Sequence, residues 1–455
     1  MTTDTDLLRH AGELAIAYTA QVDERAAAAT PEAIAALAAF TEPLPDTGAD
    51  ATETLDLLAE IGGPATVAST GPDYYGFVTG ATYPAALGAS FIADAWDQNA
   101  ALPAMSPIAT ALHDVTRGWL VDLLGLPTHT DVTYVTGATV ANASCIAAAR
   151  DELLQRAGWD AQRDGMFGAP EITVVIGAQA HSTLRKSLGL VGLGRERVIV
   201  VPADDQGRMI AERLPDPASL TGPVLVCAQA GEVNSGAFDP FDAIADWLAP
   251  IDNGWLHVDG AFGLWALADP TRAHLVAGLE RADSWATDGH KWLNVSYDCG
   301  IVFVAREGAL VRTFKAAAGY LPPATGFEAM HHTPQSSQRA RQIEIWAVLR
   351  TLGRAGVAEL VQRHSSCAVT IADRLRGAGF DVLNDVVLNQ VLVRYRDGAT
   401  TERLIAAIQA DGRIWCGPTT WQGETALRVS VSSWKTTVAD ADRAADVIIE
   451  CAGGL

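Results

Sequence analysis

The sequence predicts an α/β protein: a mainly parallel sheet in a large domain, followed by a smaller C-terminal α+β domain. Two observations carry this reading. Six short runs, "DVTYVTG", "EITVVIG", "RVIVVP", "GPVLVCAQ", "GWLHVDG" and "CGIVFVA", alternate with helical stretches from about Ala85 onward. They are β-branched and apolar on both faces, as strands covered by helices on two sides must be. The chain, at 455 residues and 49% hydrophobic, also exceeds what one ordinary core organises, so a large and a small unit are expected.

The elements follow in order. From Leu7 to Val22, Leu7, Leu8, Ala11, Leu14, Ala15, Tyr18 and Val22 recur at helical spacing, predicting an amphipathic helix. Pro- and Gly-rich sequence comes next, including "EPLPDTGAD" and "GGPATVASTGPDYYGFVTGATYP", and predicts an extended connection. After the strand runs comes a broken segment, "AAAGYLPPATGFEAMHHTPQSS", and then a helix from about Gln338 to Leu375. "FDVLNDVVLNQVLVRY" and "ALRVSVSSW" supply strands of the last unit. The expected division is 1–84 as an N-terminal helical and extended segment, 85–320 as the large domain and 321–455 as the small domain, with a mobile loop at about 316–336.

Charge and cysteine usage narrow the functional classes. A net charge of −22 disfavours nucleic acid or an anionic membrane as partner. The six cysteines are scattered without a Cys-x-x-Cys pair, which argues against a zinc site or a disulfide framework and fits a reducing cytoplasm. No basic start with an apolar run marks a signal peptide, and no run of about 18 apolar residues marks a membrane span.

Four features then stand at the ends of strand runs. "YVTGATVANASCIAAAR" puts a small-residue turn, Gly137, Ala138 and Thr139, between a strand and an Ala-rich helix. Backbone amides there can approach an anion, although a tight strand-helix turn alone would look the same. His181 follows a strand and opens a helix, as a ligand contact or as a cap. Asp259 ends "WLHVD"; burying it requires a cationic or hydrogen-bonding partner, which a backbone turn could also supply. Lys291 is one of only four lysines, the others being Lys186, Lys315 and Lys435, and stands between His290 and Trp292. Taken singly, each is ordinary. Together they suit a cofactor with a phosphate, an aromatic ring, a basic ring nitrogen and an aldehyde: pyridoxal 5'-phosphate (PLP).

With these motifs the sequence resembles the group II pyridoxal-phosphate-dependent amino-acid decarboxylases, within the aspartate aminotransferase fold type. The resemblance runs from about Tyr74 to Thr437. "HKW" is similar to the family's lysine signature, "HVDGAFG" to its aspartate signature, "AQAHSTLRKS" to its ring-stacking histidine and "TGAT" to its phosphate turn. "GEVNSGAFDP" resembles a hydroxyl-rich turn near the cofactor, with Asn234 where a hydroxyl residue is common. "RQIEIWAVLRTLG" resembles the helix after the mobile loop, and "ALRVSVSS" the late strand carrying Arg428.

That resemblance implies fold type I with a seven-stranded-type sheet, a homodimer with active sites at the subunit interface, and decarboxylation of an L-amino acid, aromatic by expectation. Other fold-type I outcomes are aldehyde synthesis, transamination, or lyase and replacement chemistry at Cβ or Cγ. The implied catalytic residues are Lys291, His181 and Asp259, and Gly137, Ala138, Thr139, Asn234, Ala261 and His290 join them around the cofactor. Tyr75, Phe77, Trp96, His332 and Arg428 are expected at the substrate, with Tyr74 and Met105 nearby. The family's aromatic decarboxylases carry a proton-donating tyrosine on the mobile loop. Phe327 or Ala329 stands near its place here, with Tyr320 at the start of the loop and His331 and His332 within it.

Overall fold

A computed structural model describes residues 3–316 and 326–455. Tyr320 and the early part of the expected loop lie outside the described residues. The large sheet comprises β1 (Asp131–Val135), β2 (Thr173–Gly177), β3 (Ile199–Val201), β4 (Val224–Gln229), β5 (Gly254–Asp259), β6 (Ser284–Asp288) and β7 (Gly300–Val304). Its order is β1-β7-β6-β5-β4-β2-β3. β7 runs antiparallel to both neighbours, and the remaining pairs are parallel. The carboxyl ends of β1, β2, β4, β5 and β6 therefore point to one edge, where ligands gather in open α/β sheets.

Six of the strands are the six apolar runs of the sequence, and β6 is the addition. Its residues "SWATD" are polar at three of five positions, yet all five are buried. Their polar atoms are paired from a distance: Ser284 Oγ accepts from Trp255 Nε1 at 2.9 Å, and Thr287 Oγ1 donates to the Gly260 carbonyl at 2.8 Å. A buried strand tolerates polar side chains only when each finds a partner in this way.

Hydrophobic cores lie on both faces of the sheet. One face is covered by the helix Ala138–Arg156, whose Ala141, Cys145, Ala148 and Ala149 are fully buried and let its backbone approach the strands closely. The other face buries Trp265, Trp285, Phe241 and Phe303 beneath the helix Pro107–Leu123 and the first half of the helix Gln342–Gly377. That long helix turns at Gly353, which has φ 61, a left-handed value that glycine adopts without strain.

The same helix then enters a second core. Val357, Leu360 and Val361 belong to the large-sheet core, whereas Cys367, Ile371 and Leu375 pack against a four-stranded antiparallel sheet. This sheet is β8 (Asp381–Val382), β9 (Gln390–Arg394), β10 (Gly417–Trp421) and β11 (Glu424–Ser430), in the order β10-β11-β9-β8. Gln422 and Gly423 both have positive φ and close the β10–β11 hairpin, as a two-residue hairpin turn requires. The cores thus change over inside the helix, between Val361 and Cys367, beyond the division expected near residue 320. Among the described residues, no helix is long and apolar enough to cross a membrane.

The N-terminal region attaches to the C-terminal unit. Tyr74 bridges to Trp415, and Tyr75 is 1% exposed within the C-terminal core. The helix Asp4–Gln21 forms as its periodicity predicts, capped by the Thr3 side chain, yet none of its residues is buried. Its Leu8 and Ile16 are more than half exposed.

Candidate active site

The turn after β1 is seated by its antiparallel neighbour. Gly300 pairs with Val135 on one side and Asp288 on the other. A Cβ at Gly300 would lie 2.5 Å from the Gly137 Cα, so only glycine lets the turn settle there. The Ala138 amide, at the start of its helix, donates to Asp288 Oδ1 at 2.6 Å. Around this turn a cavity of about 290 Å³ is lined by Gly137, Ala138, Thr139, His181, Asp259, Ala261, Asp288, His290 and Lys291.

The charged groups in that cavity are arranged in layers. Lys291 Nζ lies 3.3 Å from Asp288 Oδ2, and His290 Nε2 lies 3.6 Å from the same oxygen. The Cys299 amide donates to His290 Nδ1 at 3.1 Å, which leaves the neutral ring's proton on Nε2. Burial lowers the His290 pKa, with Asp288 opposing the shift. Asp259 is only 4% exposed, and among the described residues its hydrogen-bond donor is the Ala261 amide at 3.2 Å. One buried carboxylate oxygen is thus held and the other has no such protein donor, an arrangement that calls for a cationic N–H from a ligand.

His181 caps its helix and also lines the cavity. Its Nδ1 accepts from the Thr183 amide at 3.3 Å, capping the helix Ser182–Leu190, while its ring lines the cavity. Burial pushes its pKa down, so the ring favours the neutral form with the proton on Nε2. Behind Asp259, His257 bridges Ser284 Oγ and Asn142 Oδ1 at 2.9 and 2.8 Å, and burial pushes its pKa down to about 4.

The backbone carrying Lys291 is clamped from three sides. A Cβ on Gly80 would lie 1.9 Å from the Lys291 carbonyl oxygen, so a glycine is needed where the N-terminal segment crosses. Asn294, at φ 57, accepts from the amides of Ala81 and Trp434 at 3.0 and 2.9 Å and donates to the Trp292 carbonyl at 2.7 Å. Trp292 Nε1 donates to His364 Nδ1 at 2.8 Å, and His364 Nε2 reaches the Ser433 carbonyl at 2.8 Å.

Other expected positions lie elsewhere. Asn234 does not line the cavity: its side chain donates to Glu232 Oε1 at 2.9 Å and accepts from Thr419 Oγ1 at 2.7 Å, while Val233 and Gly231 form the wall. Tyr75 turns into the C-terminal core, where an extended chain sends it to the face opposite Tyr74. Phe77, Trp96 and Met105 are 64%, 48% and 48% exposed and do not line the cavity. His332 lies against Phe327, ring centroids 4.4 Å apart, and Phe327 in turn stacks on His113 at 3.3 Å, away from the cavity. His331 accepts from the Ala316 amide at 3.3 Å. Arg428 stands behind the wall, donating to the Val233 carbonyl at 3.3 Å.

Some cavity residues were not singled out in the sequence: Asp288, Gln229, Val233 and Phe262. Asp288 carried a signal, since it is an acid three residues before the lysine at the end of an unrecognised strand. Tyr297 was also missed; its ring lies 4.3 Å from that of His290 and is 57% exposed.

A family model described as "Pyridoxal-dependent decarboxylase conserved domain" matches residues 61–396. The chain is 30% identical to the histidine decarboxylase of Drosophila melanogaster, over 74% of this chain and 42% of that protein. It is 27% identical to tryptophan decarboxylase 1 of Oryza sativa subsp. japonica, over 80% of this chain and 76% of that protein. Identity is 30% to the L-2,4-diaminobutyrate decarboxylase of Rhizobium meliloti, over 79% of this chain and 72% of that protein. Among solved structures, Oryza sativa TDC with PLP and tryptamine superposes with a TM-score of 0.90 at 23% identity, covering 99% of this chain and 97% of that one. At that identity the likeness is one of fold.

Proposed function

The chain belongs to the pyridoxal-dependent decarboxylase family, with PLP as its cofactor and fold type I as its architecture, and we propose that it removes the α-carboxylate of an aromatic L-amino acid to give the amine. The observation that carries the site assignment is the buried Asp259 carboxylate, held by one backbone amide and opening on the cavity that contains Lys291.

The residues present fit the cofactor. The amides and hydroxyl of Gly137, Ala138 and Thr139, at a helix N-terminus, would hold its phosphate. Asp259 would face the ring nitrogen and hold a proton there, His181 would lie against the ring, and Lys291 Nζ would carry the group covalently. When bound, PLP supplies a conjugated cationic ring that accepts the electron pair left as the Cα–carboxylate bond breaks. The chain's own contribution is orientation: whichever Cα bond is held perpendicular to the ring is the one that breaks. Arg428 donates to the Val233 carbonyl outside the cavity lining, so it would meet a substrate's carboxylate only by turning past Val233.

Two features support the finer reading. Tyr297 beside His290, with Tyr74 stacked on Trp415 at 5.2 Å and Phe77 tilted against it at 5.1 Å, forms an aromatic surface close to the lysine turn. The tryptophan decarboxylase relative is named for such a substrate. Exposed apolar residues of the N-terminal region, including Leu8, Ile16, Phe77, Ile92 and Trp96, support a homodimer in which a second copy covers them.

The test is incubation with the twenty amino acids, following carbon dioxide, peroxide, keto acid and product mass. Carbon dioxide and an equal yield of amine from an aromatic amino acid are expected. Aldehyde with peroxide, or a keto acid without carbon dioxide, would replace this reading with another fold-type I reaction.

A further inference from the structure

We infer that Asp288 is a resident anion in the phosphate cradle, and that its charge limits how tightly the chain holds its cofactor. The inference rests on the reading of the cavity as the cofactor site. Asp288 ends β6 and is 2% exposed. Its Oδ1 accepts the Ala138 amide at 2.6 Å, a donor at the first position of a helix that has no intrahelical partner and that an anionic ligand would use. Its Oδ2 lies 3.3 Å from Lys291 Nζ and 3.6 Å from His290 Nε2. One carboxylate therefore engages both a cradle amide and the amine.

Two consequences follow, and both oppose loading. A phosphate entering the cradle meets a like charge already seated in a buried, weakly screened position. The Lys291 amine must also give up its contact with that carboxylate before it can react. Asp288→Asn removes the charge while keeping an oxygen for the Ala138 N–H, and it offers an N–H that a phosphate can accept. Charge at this position, rather than the shape of the turn, sets the affinity.

The experiment is equilibrium dialysis of the full-length wild type, Asp288→Asn and Asp288→Ser against stepped PLP, with inorganic phosphate as competitor. Borohydride reduction followed by peptide mass mapping locates the cofactor. Both variants should hold PLP about tenfold or more tightly than wild type, and the inhibition constant for phosphate, fitted across the stepped PLP concentrations, should fall by a similar factor. Equal PLP affinity in all three proteins would overturn the inference, and so would tighter PLP binding with an unchanged inhibition constant for phosphate. If borohydride leaves no cofactor on Lys291 in any of them, the assignment of the cofactor site falls and the inference falls with it.

Discussion

Along the carboxyl edge of the large sheet, the side chains in and next to the cavity are tied to neighbours: Asp288 to Ala138, His181 to Thr183, His290 to Cys299 and Trp292 to His364. The helix Pro84–Trp96 contrasts with this edge: Phe91, Ile92 and Trp96 are each about half exposed. The first region is finished within one chain, and the second presents an apolar face that water disfavours. The groups that would hold the cofactor lie together within one chain, whereas the open apolar face is where the proposed second copy would pack.

The sharpest way to break that comparison is at Lys291. Lys291→Ala should abolish turnover and leave no borohydride-fixed cofactor, while the circular dichroism spectrum and oligomeric state stay as in wild type. The side chain makes an ion pair with Asp288 and takes no part in the hydrophobic cores, so folding does not depend on it. A variant that unfolds would show the cofactor edge to be less self-sufficient than its hydrogen bonds indicate.

Asp259→Asn should come next, lowering kcat/KM by about 10²- to 10³-fold, the scale seen when one preorganised electrostatic group is removed. The neutral amide no longer holds a proton on the ring nitrogen, so the bound cofactor's absorbance should change alongside the rate. A near-normal rate would reduce Asp259 to its bond with the Ala261 amide.

The same contrast explains what the sequence revealed. Gly137 and Asp259 stand out because each ends or follows an apolar strand run, a pattern confined to a few neighbouring residues, and Lys291 because it is one of only four lysines. β6 was hidden because its burial depends on partners such as Trp255, 29 residues away. Tyr75 was misplaced for a similar reason: it packs in a core built from the far end of the chain, its hydroxyl reaching the Asp440 carbonyl 365 residues on. Asn234 looked like a site residue from its motif, but Thr419, 185 residues later, claims its side-chain oxygen. Local signals marked the residues that meet at the cavity, and long-range contacts decided the rest.

The exposed helix gives a third test. Ile92 and Trp96 are four residues apart and share one face of Pro84–Trp96. Replacing both with Ser should weaken the proposed dimer by about 2 kcal/mol, roughly 30-fold in its Kd, as for anchor residues in other interfaces. Analytical ultracentrifugation over a concentration series reads this directly. An unchanged Kd would mean that another surface covers the helix or that none does.

An effect of similar size concerns the lock behind the lysine turn. His364 is fully buried between Trp292 and the Ser433 carbonyl, and burial, with the Arg363 charge second, pushes its pKa down to about 3. In the unfolded chain a histidine titrates near 6.5. Between those values the unfolded state binds a proton that the folded state refuses, so this contribution to stability is complete above about pH 6.5 and is lost progressively toward pH 3. His257, at about 4, acts in the same direction. Asp239, raised by burial to about 6, acts against both, because below that pH the folded chain takes up its proton first. His364→Gln keeps an acceptor for Trp292 and an N–H for Ser433 but cannot titrate. Its stability loss between pH 7 and pH 5, measured by urea unfolding of the holoprotein, should be smaller than that of wild type by about 2 kcal/mol. Identical losses would mean that His364 accepts a proton without unfolding, and that the contact between Trp292 and the C-terminal unit is looser than the packing around the cofactor edge implies.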